Sequence, residues 1–84
     1  MADKIILVPS VFRHGYTQDD IEWAIETKIY DGLLKGEDGI FAIIGFDTKG
    51  NPIEVFYNEI DDKTIKIFHA MSLRQKVAEQ MNEE

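Results

Sequence analysis

Apolar and polar positions along this chain change their period twice. Residues 4–8, KIILV, are an apolar run of strand length, and Pro9-Ser10 ends it because proline cannot donate to a ladder. From Gln18 the apolar residues fall at helical spacing, with Ile21, Ala24, Ile25 and Ile29 on one stripe, which predicts a helix over residues 18–30. Gly15 permits a turn just before it, and Thr17 followed three residues later by Asp20 has the form of a capping box. Trp23 and Tyr30, seven residues apart, fall on the opposite side of that helix. They are covered by a neighbouring segment or form a partner surface, since aromatics are enriched in binding patches.

Beyond a loop from Asp31 to Gly39 the period shortens to that of strands. Residues 40–46 are apolar at both alternating sets of positions, as in a central strand covered on both sides. A turn at Asp47-Thr48-Lys49-Gly50-Asn51 leads to a second strand over residues 53–57. In it Ile53, Val55 and Tyr57 point one way, and Glu54 and Phe56 the other. A third strand over residues 64–69 places Ile65, Ile67 and His69 on one face, with Lys66 and Phe68 on the other. The links are too short for parallel crossovers, so these strands form an antiparallel meander. Ser72 is a candidate N-cap for a closing helix bearing Leu73, Val77 and Met81, and residues 82–84 are expected to fray. The pattern predicts a single α+β domain, residues 1–84, with a small three- to four-stranded antiparallel sheet packed with two helices.

Composition narrows the function classes. The chain has 84 residues, enough for one core, and its 44% hydrophobic content supports folding. The absence of cysteine excludes disulfides, thiolate catalysis and cysteine-based zinc sites. No apolar run reaches membrane-spanning length and residues 5–8 are too short for a signal peptide, so a cytoplasmic protein is expected. A net charge of -7 argues against general nucleic-acid binding and confines any RNA contact to one patch. One stretch reverses that sign: residues 64–78 contain no Asp or Glu but carry His69, Arg74 and Lys76.

Arg13-His14, just before the first helix, is a second basic cluster. If that helix lies across the meander, its amino-terminal end approaches the end of the third strand and brings His14 and His69 together. A histidine pair flanked by Arg and Lys suits metal-free phosphoryl chemistry, one imidazole moving a proton while cations stabilise charge on phosphate oxygens. RNA can be cleaved this way through its own 2′-hydroxyl. The structural reading of the same residues is a half-buried, hydrogen-bonded His69 and solvated Arg74 and Lys76 on an outer helix face. No metal or other cofactor is expected, because the acidic residues lack calcium-loop spacing and two histidines alone make a weak metal site. There is no glycine-rich phosphate loop or dinucleotide fingerprint.

The segments RHGYTQDDIEWAI, IIGFDTKGNPIEVFY and IKIFHAMSLRQK together resemble the BrnT family of small toxins from bacterial toxin–antitoxin pairs. The likeness runs from Val11 to Met81. It rests on Arg13-His14-Gly15 before an acidic helix start, the Gly45-X-Asp47-X-X-Gly50 turn, and the His69-Ala70-Met71 junction followed by Arg74 and Lys76. The resemblance implies a RelE-like fold, an RNA-cleaving activity and a cognate antitoxin. On that reading His14, His69 and Arg74 are catalytic, Arg13 and Lys76 bind RNA, and Trp23 and Tyr30 face a protein partner. The chain's acidity supports an alternative, a non-catalytic interaction module of the same fold that has lost the basic RNA-binding surface.

Overall fold

The computed structural model describes residues 3–82 and carries five strands rather than three or four. β1 (Lys4–Leu7) leads through a 3-10 turn (Pro9–Phe12) into α1 (Gln18–Glu26). Then come β2 (Tyr30–Leu33), β3 (Phe41–Phe46), β4 (Pro52–Asp61), β5 (Thr64–Ser72) and the closing α2 (Gln75–Asn82). The sheet order is β1-β5-β4-β3-β2. β2 to β5 form the expected antiparallel meander, while β1 lies parallel to β5 with Ile5 opposite Ile65. The sheet is therefore mixed, which corrects the expectation of an all-antiparallel one. β1 can run parallel because α1 and the whole meander intervene before its partner returns.

β2 lies in the segment read from sequence as loop. Its residues, Tyr30-Asp31-Gly32-Leu33, include two poor strand formers, and they hold extended geometry as an edge strand by pairing with β3. The price is a shorter helix: α1 stops at Glu26 instead of Tyr30. Thr27 ends it, donating both its N–H (2.8 Å) and its hydroxyl (2.7 Å) to the Trp23 carbonyl. The same hydroxyl oxygen accepts from the Phe46 N–H at 3.1 Å, which pins the end of α1 to the end of β3. Ile29 consequently leaves the helical stripe and is exposed. Tyr30 pairs with Ile44 and packs against the α2 layer, so Trp23 and Tyr30 do not share a face.

The sheet is covered on both sides. On one face Ile21 and Ala24 of α1, with Val11 of the 3-10 turn, pack on Ile43, Ile53, Val55, Tyr57, Ile67 and Ala70. On the other, Val77 of α2 packs with Ala42, Ile44 and Phe56, flanked by half-buried Leu73, Met81 and Phe68. The expected stripe of Leu73, Val77 and Met81 is thus the inner face of α2. Ser72 is not its cap: it ends β5, its hydroxyl lies 2.9 Å from the Tyr16 hydroxyl, and α2 opens on the Arg74 carbonyl. Of the tail expected to fray, Asn82 belongs to α2 and Glu83 and Glu84 lie outside the described residues.

Two contacts fix where α1 sits. The capping box forms as expected, with Thr17 and Asp20 exchanging side-chain and backbone bonds. Asp20 also accepts from the Thr48 N–H (3.0 Å) and hydroxyl (2.6 Å), tying the start of α1 to the β3–β4 turn. These bonds, that from the Thr17 N–H foremost, hold the Asp20 carboxyl far below the usual carboxylate range. At its centre α1 touches β3 directly: a Cβ on Gly45 would lie 2.1 Å from the Ala24 carbonyl oxygen. Gly45→Ala is therefore expected to lower stability by roughly 2–3 kcal/mol, the usual range for overpacking a close contact. Urea denaturation followed by far-UV circular dichroism measures it.

Candidate active site

β1 pairs with β5 only as far as Ile67, where the Val8 N–H still donates to the Ile67 carbonyl at 3.1 Å. Past that point the edge of β5 is flanked by the 3-10 turn and the segment leading to α1. The Ser10 hydroxyl donates to the Phe68 carbonyl at 3.3 Å, and Tyr16 reaches Ser72. Between these two ties lie Arg13 and His14, both exposed. The His14 ring sits edge-on to His69, with centroids 6.1 Å apart. The two histidines do meet.

His69 arrives from an unexpected side. Phe56 pairs with His69 but Tyr57 pairs with Ile67, so Phe68 is an extra residue in β5. Such a bulge shifts the alternation by one position and moves every following side chain to the other face. His69 therefore does not share the face of Ile65 and Ile67, as its sequence position predicts. It stacks on Phe56 at 4.3 Å and points its Nε2 at Glu54 Oε2, 2.9 Å away.

Glu54 is the residue that sequence reasoning missed. Its side chain has no exposed surface, yet it carries a charge. Oε2 accepts from Arg74 Nε (3.0 Å) and Nη2 (2.6 Å) as well as from His69, and Oε1 accepts from the Arg74 backbone N–H (2.9 Å). Burial alone pushes this carboxyl up, but the bonds from His69 and Arg74 outweigh it and hold it below its ordinary value of 4.5. Glu54 is thus ionised and can only accept, so the shared hydrogen is on His69 Nε2. In the neutral imidazole that leaves Nδ1 as the atom able to take a proton.

The stretch rich in basic groups is consequently not free of acid, as its own sequence implied. Its counter-charge comes from the neighbouring strand. The available signal was a single carboxylate at the centre of the otherwise apolar run Ile53–Tyr57, where a charge needs partners. Arg74 is not merely solvated: it spends two guanidinium N–H groups on Glu54, lies 5.9 Å from the centroid of the Phe56 ring, and keeps its remaining donors for other acceptors. Lys76 is exposed on the first turn of α2. Trp23, about half exposed on α1, lies outside this cluster. Among the described residues no group of three or more His, Cys, Asp or Glu side chains is placed to hold a metal ion.

The chain's acidity gathers elsewhere. A cleft of about 460 Å³ at the opposite end of β4 and β5 is lined by Glu22, Glu26, Asp31, Glu59, Asp61 and Asp62, with Lys28 as its cation. A net charge of -7 therefore coexists with a locally basic strand end.

A mixed sheet with one helix on each face and a histidine pair at the open end of its longest edge defines a small α+β class. Within it, the chain is similar to the crystal structure of the Brucella abortus ribonuclease toxin BrnT, with a TM-score of 0.59 and 16% sequence identity. The match covers 86% of this chain and 97% of that one, so the fold is BrnT-like over nearly its whole length. No protein-family model matches the chain, and no curated protein matches it by sequence.

The charge state of Glu54 has a measurable consequence. A carboxyl whose folded pKa lies below its unfolded value contributes stability that is fully present above the unfolded value and lost as pH falls through the folded one. Unfolding free energy is therefore expected to hold from neutral pH down to about 4.5 and to decline below it. Glu54→Gln should cost roughly 1.5–3 kcal/mol at pH 7, the scale of hydrogen bonds to a charged group, and should flatten the acid decline. Denaturant titrations of both proteins between pH 3 and 7 check it.

Proposed function

We propose that this chain is a BrnT-like toxin that cleaves RNA without a metal and is held inactive by a cognate antitoxin protein. The observation that carries this reading is the 6.1 Å pairing of His14 with His69 beside Arg74, at the exposed end of β5 in a BrnT-like fold. Glu54 turns His69 so that Nδ1 is its open atom. One imidazole takes the proton from an RNA 2′-hydroxyl as that oxygen attacks the adjacent phosphorus. The bond to the 5′-oxygen breaks as the other imidazole protonates it, leaving a 2′,3′-cyclic phosphate and a free 5′-hydroxyl. The outward N–H groups of Arg74, with Arg13, stabilise the charge that builds on the phosphate oxygens.

Trp23 is the exposed aromatic left for a protein partner, and Tyr30, drawn into the α2 layer, is not part of that surface. Among the described residues no helix is long and apolar enough to cross a membrane.

The test is inducible expression of the chain alone in a bacterium, with growth, translation and total RNA followed, and cleavage by the purified protein assayed in the presence of a chelator. Growth arrest with chelator-resistant cleavage is expected. His14→Ala and His69→Ala should each reduce the rate by about 10²–10⁴-fold, the usual worth of a positioned general acid or base, with the fold unchanged by circular dichroism. Because one imidazole must be neutral and the other protonated, the rate should pass through a maximum between about pH 5 and 8. Full activity in folded His69→Ala, or no cleavage by the unmodified chain, contradicts the reading.

A further inference from the structure

Next to Arg74 the surface folds into a cleft of about 330 Å³ between the β2–β3 loop and the start of α2. Lys35, Arg74 and Lys76 line it against a single acid, Glu37, with Phe56 and Gln80 in its walls. This balance is the reverse of that in the acidic cleft at the other end of the sheet. Lys76 makes no ion pair or hydrogen bond among the described residues, so its charge is available to a ligand. Gln80 adds an independent feature. It is 7% exposed, its Oε1 accepts from the Lys35 backbone N–H, and its Nε2 is buried with no partner. The orientation of the amide is fixed by the Lys35 bond, so the unspent group is a donor, which suits an incoming oxygen acceptor.

The cleft is continuous with the histidine pair. His14 meets His69, His69 stacks on Phe56 at 4.3 Å, and the Arg74 guanidinium lies 5.9 Å from the centroid of the same ring. Phe56 and Arg74 then form part of the cleft wall. A single-stranded nucleic acid held at the histidines thus meets Arg74 next and the two lysines after it. Resting on the ribonuclease reading above, we infer that this cleft is a second phosphate-binding subsite, in which Lys35 and Lys76 hold the backbone of the RNA strand on one side of the scissile bond. It sets the direction in which the strand crosses the histidine pair.

The probe is a single-stranded oligoribonucleotide with 2′-O-methyl groups, which cannot be cleaved through the 2′-hydroxyl, titrated by fluorescence anisotropy across a range of salt. The double variant Lys35→Ala with Lys76→Ala should bind about tenfold more weakly at low salt. Its plot of log affinity against log salt should be shallower by roughly 1, since two fewer phosphates are neutralised. Lys63→Ala, which removes an equal kind of charge at the β4–β5 turn, should bind as the unmodified protein does. If the double variant binds no worse than Lys63→Ala while the unmodified chain still cleaves RNA, the subsite is overturned and the ribonuclease reading stands. If the unmodified chain neither binds the probe nor cleaves RNA, both fall together.

Discussion

A single ionised carboxylate with no exposed surface holds the candidate site together. Glu54 sits in the middle of the sheet, and its two oxygens gather the side chain of His69, the side chain of Arg74 and the backbone N–H that precedes α2. A charge in that position is tolerable only when every lone pair that faces the protein is matched. The matching sets three things at once: the ring orientation of His69, the direction of the Arg74 fork, and the place where β5 gives way to α2. Phe56 completes the arrangement by stacking under the imidazole and lying close to the guanidinium.

The bulge at Phe68 makes this possible. Without the extra residue His69 would face the α1 side with Ile65 and Ile67, out of reach of Glu54. The short parallel pairing of β1 matters equally, because by ending at Ile67 it leaves the last residues of β5 to the segment that carries Arg13 and His14. Topology and local irregularity thus cooperate: the sheet brings the strand end to the surface, and the bulge turns its histidine toward the carboxylate. The acid-rich cleft lies at the far end of the same strands, which separates the chain's negative charge from its basic cluster.

Much of the fold was legible because it follows from local pattern. The two faces of β3, the inward set of Ile53, Val55 and Tyr57, the capping box at Thr17 and Asp20, and the stripe of α2 all lie where periodicity places them. What periodicity missed depends on partners far away in sequence. β2 is extended only because β3 pairs with it, α1 ends early because Thr27 is held by Phe46, and β1 is parallel because its partner lies some sixty residues on. At the site the residue types were legible and their approach was not. His14 and His69 could be guessed to meet from the run of the chain, whereas the flip of His69 required knowledge of a bulge, and Glu54 was visible only as a charge out of place in an apolar strand.

The claim on which the site depends is that Glu54 fixes His69 with its hydrogen on Nε2. Long-range proton–nitrogen correlation spectra of the imidazole, recorded at about pH 8.5 to lie above the ordinary histidine range, read the tautomer directly. A protonated Nε2 and a bare Nδ1 in the intact protein, giving way to a mixture of tautomers in Glu54→Gln, is the predicted result. A hydrogen on Nδ1, or a mixture already present with Glu54 in place, would contradict it.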